Sequence, residues 1–157
     1  MKLTRFTDYS LRVLMHLGLH PSRLCSIAEI ARANSISEHH LTKVAHHLGQ
    51  IGVVTTVRGR GGGLKLSRSP ALISVGSVVR QTEEETGLLD CVNCALSTAC
   101  VLTATLSTAL EAFFTVLDAC TIADLIAPGD RLRSLFLGQK MIGDESGVAT
   151  LSGARPS

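Results

Sequence analysis

The sequence predicts a mainly α fold with one small β-hairpin: a winged helix-turn-helix DNA-binding domain followed by a long dimerisation helix. Three observations carry that reading. Three short amphipathic helical segments precede two β-like runs that flank an Arg/Gly turn, which is the element order of such a domain. Residues 1–80 hold 11 Lys/Arg against 3 Asp/Glu, or +8, and all six His, whereas residues 81–157 hold 4 against 10, or −6. A basic half joined to an acidic half points to a polyanion-binding module with an appendage. Finally, Leu102, Leu106, Leu110, Phe113, Leu117 and Cys120 recur at steps of four, four, three, four and three, a seam suited to a partner helix.

Residues 8–19 set Leu11, Leu14, Met15 and Leu17 at helical spacing, with Thr7 as cap and His20-Pro21 as stop. In SIAEIARA, Ser26 and Glu29 form a capping-box pair ahead of Ile27, Ala28, Ile30 and Ala31. Asn34 is placed to take a left-handed turn, and Ser37 to cap a third helix over residues 38–48. That helix buries Leu41, Val44, Ala45 and Leu48. Two β-like runs, 53–57 and 64–66, flank the turn Arg58-Gly59-Arg60-Gly61-Gly62-Gly63. Ser74 caps a short helix over 75–81, a long helix follows over 102–119, and Thr121 and Asp124 start the short helix TIADLI. The expected organisation is a DNA-binding domain over 1–81, a cysteine-bearing loop over 82–100, dimerisation helices over 101–137 and a disordered tail over 138–157.

With 157 residues, 45% of them hydrophobic and 18% charged, the chain can bury a real core. It shows no apolar run expected to span a bilayer and no signal-peptide pattern at its start. A cytoplasmic protein with no membrane partner is the expectation.

The third helix has the size and polarity to enter a major groove of double-stranded operator DNA. Ser37, Glu38, His39, His40 and Lys43 lie near its N-terminal end, where base edges are reached. Arg58 and Arg60 on the wing suit a minor groove or phosphates, and the glycines between them let backbone approach backbone. Each of these residues taken alone is equally well a solvated surface group. Together with the +8 charge they predict DNA binding.

Cys91, Cys94 and Cys100 place three thiols within ten residues of an aperiodic loop. Soft thiolates at this spacing suit an iron–sulfur cluster or zinc. Cys91-x-x-Cys94 also fits a redox dithiol, which makes a thiol oxidoreductase the competing class. The chain has no strand-helix-strand scaffold for that chemistry, so no enzymatic activity is expected. Cys25 and Cys120 sit in apolar helical settings and read as buried, inert residues. The adjacent pairs His39-His40 and His46-His47 cannot face one ion from a helix, so they read as polar side chains that meet water on the outer face of the third helix.

The stretches LTRFTDYSLRVLMHL, SIAEIA and HLTKVAHHLGQIGVVTTVRGRGGGLKL resemble the Rrf2 family of bacterial transcription regulators. The three-Cys loop, FFTVLDACTIADLI and Asp8 resemble its nitric-oxide-sensing branch. The likeness runs over residues 1–137. It implies a homodimeric repressor, paired through its long helix along Leu106, Leu110, Phe113 and Leu117. It also implies a 2Fe-2S or 4Fe-4S cluster held by Cys91, Cys94 and Cys100, with Asp8 from the other subunit completing the set. Nitric oxide is then the signal that relieves repression of nitric oxide defence genes. Other Rrf2-type signals, iron–sulfur status or redox state, and structural zinc at the same thiols remain open here. Asp8 also reads simply as a first-turn acid that suits the helix dipole. The two-residue gap between Cys91 and Cys94 is shorter than is usual in relatives, which leaves the cluster type open.

Overall fold

The computed structural model describes residues 2–83 and 100–136. Helix α1 spans Arg5–Gly18, α2 Ile27–Asn34 and α3 Glu38–Gln50. Strands β1, Val54–Val57, and β2, Gly63–Leu66, pair antiparallel as the wing, with Val54 opposite Leu66. A 3-10 turn at Pro70–Leu72 leads to α4, Val75–Thr82. After residue 100 come α5, Val101–Ala119, α6, Ile122–Ile126, and α7, Gly129–Phe136. This is the mainly helical, hairpin-bearing fold that the residue pattern predicts.

Each of the first three helices opens on a hydroxyl cap. Thr4, Ser26 and Ser37 accept from the backbone N–H of Thr7, Glu29 and His40, a bond worth about 1 kcal/mol per helix. Thr7, expected as the first cap, instead lies buried inside α1 and donates its hydroxyl to Thr82 at 2.9 Å. The cap falls three residues earlier because Glu83, just past α4, accepts from Thr4 N at 2.8 Å and Thr4 Oγ1 at 3.1 Å. The left-handed residue between α2 and α3 is Ser35, φ 55°, rather than Asn34. Asn34 is buried and donates its amide to the Ile30 carbonyl at 3.0 Å. A buried amide needs that partner, so the turn passes to the exposed neighbour.

The core gathers Val13, Leu14 and Leu17 of α1, Ile30 of α2, and Leu41, Val44 and Leu48 of α3. Ile73, Val78, Val79 and Ile122 join the same cluster. Each fully buried aliphatic side chain contributes roughly 1.5–3 kcal/mol. Leu64 of β2 points inward and exchanges backbone hydrogen bonds with Cys25 at 2.9 and 2.8 Å. A side chain at Gly63 would press on the Cys25 carbonyl, so glycine permits this close pairing.

Helix α5 places part of the expected seam against the chain's own core. Its one buried residue is Phe114, while Leu110, Phe113, Leu117 and Cys120 pack half-buried on the chain's own core. The adjoining flank, including Leu102 and Val116, is exposed. By length and composition α5 is apolar enough to cross a membrane, which corrects the expectation that no such run exists. Helix α7 has no individually predicted counterpart, although it falls within the 101–137 segment expected to hold the dimerisation helices. Arg133 ties it to the end of α1 by donating to the Leu19 carbonyl at 3.2 Å.

Candidate nucleic-acid interface and metal-binding residues

Helix α3 buries Leu41, Val44, Ala45 and Leu48 and turns its other face to solvent. Ser37, Glu38, His39, His40 and Lys43 are all exposed at its N-terminal end. Ser37 also orients His40: its hydroxyl lies 2.9 Å from His40 Nδ1. The Tyr9 ring sits 6.1 Å away on the other side. His47 is not part of this face. Its Nε2 meets the Gln81 carbonyl at 2.8 Å, and its ring packs edge-on against Phe6.

The wing carries Arg58 and Arg60, both exposed, on a turn that only glycine can make. Gly59 and Gly61 take φ of 101° and 80°, and a Cβ at Gly62 would collide with the Val57 carbonyl. The structure thus presents α3 and the wing as two exposed, donor-rich elements built on one core.

Cys91 and Cys94, most of the 82–100 loop and the 138–157 tail lie outside the described residues. Cys100 is described, at the N-cap of α5. The Thr103 hydroxyl, and then its backbone N–H, hydrogen-bond the sulfur and hold the thiol below its usual value. A thiol eased toward thiolate at a helix N-terminus gives up its proton to a metal more readily. Cys100 therefore fits the cluster that the family resemblance implies. Asp8 lies in the first turn of α1, half-exposed, with its carboxylate 3.0 Å from Arg12 Nε.

A second group carries no signature in the residue pattern. One ligand atom each from His16, His20 and Cys25 lie within 4.8 Å of one another. The one available signal is the spacing of His16, His20 and Cys25, three donors within ten residues at the end of α1 and just beyond it. Burial pushes the Cys25 thiol up, and burial first, then the nearby His20 ring, lowers His16.

Residues 3–128 match the Rrf2 family model, described as "Iron-dependent Transcriptional regulator". The chain belongs to the Rrf2 family. It is 48% identical over 142 residues to the HTH-type transcriptional regulator NsrR of Geobacillus kaustophilus, covering 87% of this chain and 97% of that one. Its identity to the NsrR of Bacillus subtilis is 46% over 142 residues, covering 87% and 97%. Among solved structures, the cysteine regulator CymR of B. subtilis matches with TM-score 0.70 at 25% identity, over 83% of this chain and 99% of that one. IscR of T. potens matches with TM-score 0.69 at 26% identity, over 83% and 90%. This Rrf2 chain is thus a DNA-binding transcriptional regulator of the NsrR type and not an enzyme. The oxidoreductase reading of Cys91 and Cys94 falls with that assignment. Iron dependence is a property of the family as described.

Proposed function

We propose that this regulator is a cytoplasmic homodimeric repressor. Its operator binding is set by an iron–sulfur cluster on Cys91, Cys94 and Cys100, with Asp8 of the second subunit as the remaining ligand. The observation that carries the reading is Cys100, a thiol eased toward thiolate at the start of the helix that joins the reading head to the rest of the chain. Similarity to NsrR over most of the chain supports nitric oxide as the signal.

When bound, an iron–sulfur cluster supplies thiolate-held irons that nitric oxide can attack. The chain's own residues do the reading. Ser37, Glu38, His39, His40 and Lys43 meet base edges, while Arg58 and Arg60 reach phosphates or a minor groove. Two heads on a dimer must match the spacing of two half-sites, so a small change in their relative orientation lowers affinity sharply. Cys100 adjoins α5, and α5 grips α4 of the head, so a ligand at Cys100 bears directly on that orientation.

The test is anaerobic purification of the full chain with analysis for iron, sulfide and zinc. Iron and sulfide with a visible chromophore are expected. Ser at Cys91, Cys94 or Cys100 should remove the chromophore and weaken operator binding while the helical fold persists. Nitric oxide should bleach the chromophore and release DNA together. Stoichiometric zinc without sulfide, or an intact chromophore in Cys100→Ser, would overturn the assignment.

A further inference from the structure

We propose that His16, His20 and Cys25 form a second metal site, for a divalent ion of the zinc class, at the base of the wing. Two imidazoles and one thiolate are the donors that zinc and its neighbours favour. Three such atoms already lie within 4.8 Å of one another, so modest side-chain rotation brings them to one centre. They lie within ten consecutive residues, on the last turn of α1, the residue beyond its cap and the α1–α2 connection, and the chain's reversal after α1 turns the three donors toward one another.

The outer contacts have the form expected around metal-bound histidine. Such a histidine donates its other ring N–H to a carbonyl or carboxylate, which fixes the tautomer and the ring plane. His20 Nδ1 lies 2.8 Å from the His16 carbonyl, which directs its Nε2 outward. His16 Nε2 faces the Glu29 carboxylate at 3.5 Å. Glu29 is held in turn by both terminal nitrogens of Arg23, at 2.9 and 2.5 Å. The two rings stack, with centroids 4.7 Å apart. His20 is half-buried and gives the ion a way in, whereas Cys25 and His16 are buried.

This placement ties the ion to DNA reading. Cys25 is the residue that exchanges two backbone hydrogen bonds with Leu64 of the wing strand. An ion on its sulfur joins the wing root to α1. The site needs none of the loop thiols and stands independently of the cluster assignment.

Cobalt(II) alone is the probe, added to the full chain carrying Cys91→Ser, Cys94→Ser and Cys100→Ser. One cobalt per chain is expected, with tetrahedral absorption bands and a thiolate-to-cobalt charge-transfer band. Cys25→Ser should lose the charge-transfer band. His20→Gln, at a half-buried ring, keeps the fold by circular dichroism and should lose the site. Glu29→Gln should weaken cobalt affinity about 10–100-fold, the usual effect of removing such an outer partner. Failure of the triple variant to bind cobalt, or undiminished binding in folded His20→Gln, would overturn the proposal. Either result leaves the iron and sulfide content of the wild-type chain, and thus the cluster assignment, to stand or fall separately.

Discussion

Arg80 grips Asp118 with both arms of its guanidinium, at 2.5 and 2.7 Å, and in the same pose lies 4.2 Å over the Phe114 ring. The fork joins α4 to α5. A bidentate pair has a defined geometry as well as an attraction, and stacking on the aromatic face restricts the guanidinium further. Backbone bonds continue the joint: Val75 N donates to the Cys120 carbonyl at 2.8 Å, and Ile122 N to the Ile73 carbonyl at 2.9 Å. Head and long helix are therefore one packed unit at this end of α5.

The pair has a pH signature. The Arg80 guanidinium holds the Asp118 carboxyl below its ordinary value. A depressed folded value means that the unfolded chain binds the proton first as pH falls. The contribution is fully present above about pH 4, the ordinary aspartate value. It is lost as pH drops through the lower folded value. Asp118→Asn should remove this part of the acid-side loss, so its melting temperature should fall less steeply below about pH 4 than that of the wild type. Parallel slopes in thermal melts would show that the contact carries no linkage.

The same joint leaves no room at Gly76. A Cβ there would press on the backbone N and carboxylate of Asp118. Gly76→Ala should destabilise the chain by about 1–3 kcal/mol, the usual range for overpacking, although alanine favours helices elsewhere. Urea unfolding measures it. An unchanged midpoint would mean that α5 can shift away at no cost.

What is legible in the residues alone is what depends on near neighbours. The caps at Ser26 and Ser37, the apolar stripe of α3 and the Arg/Gly wing are set within a few positions, and the structure has them. Thr7 reads as a cap in the sequence because its true partner, Thr82, is 75 residues away. Arg80 and Asp118 are 38 apart and carry no local pattern. The His16, His20 and Cys25 group lies within ten residues, but the end of α1 and the connection after it decide that the three donors converge. The α5 seam is ambiguous for another reason: a period near three and a half describes a helix docked on its own core as well as one paired with a copy.

The wing prediction concerns Arg58 and Arg60. Both are exposed on a turn held by Gly59, Gly61 and Gly62, so replacing them leaves the core untouched. The double change to Ala should weaken operator binding. It should also flatten the slope of log K against log salt by about one unit for each phosphate that is no longer neutralised. Anisotropy titrations at several salt concentrations give both numbers. Unaltered affinity and slope would remove the wing from the interface.

The last prediction separates the two flanks of α5. Leu110, Phe113 and Leu117 pack on the chain's own core, so Leu110→Asp should damage the fold of the single chain. At about 3.6 residues per turn, Leu102, Thr105, Ala109, Ala112 and Val116 form an adjoining stripe. These five are exposed, Leu102 by 56% and Val116 by 71%. Their steps of three, four, three and four suit a second helix. Thr105, Ala109 and Ala112 are small enough to let two backbones come close. The proposed homodimer is therefore expected to use this stripe, with Leu106 and Phe113 at its margin. Val116→Asp places a charge there without entering the core. In sedimentation it should give a monomer with wild-type helicity and weak operator binding, whereas the wild type should sediment as a dimer. If Val116→Asp remains dimeric, the pairing runs along the seam of Leu106, Leu110, Phe113 and Leu117, and α5 must shift off its own core to form it.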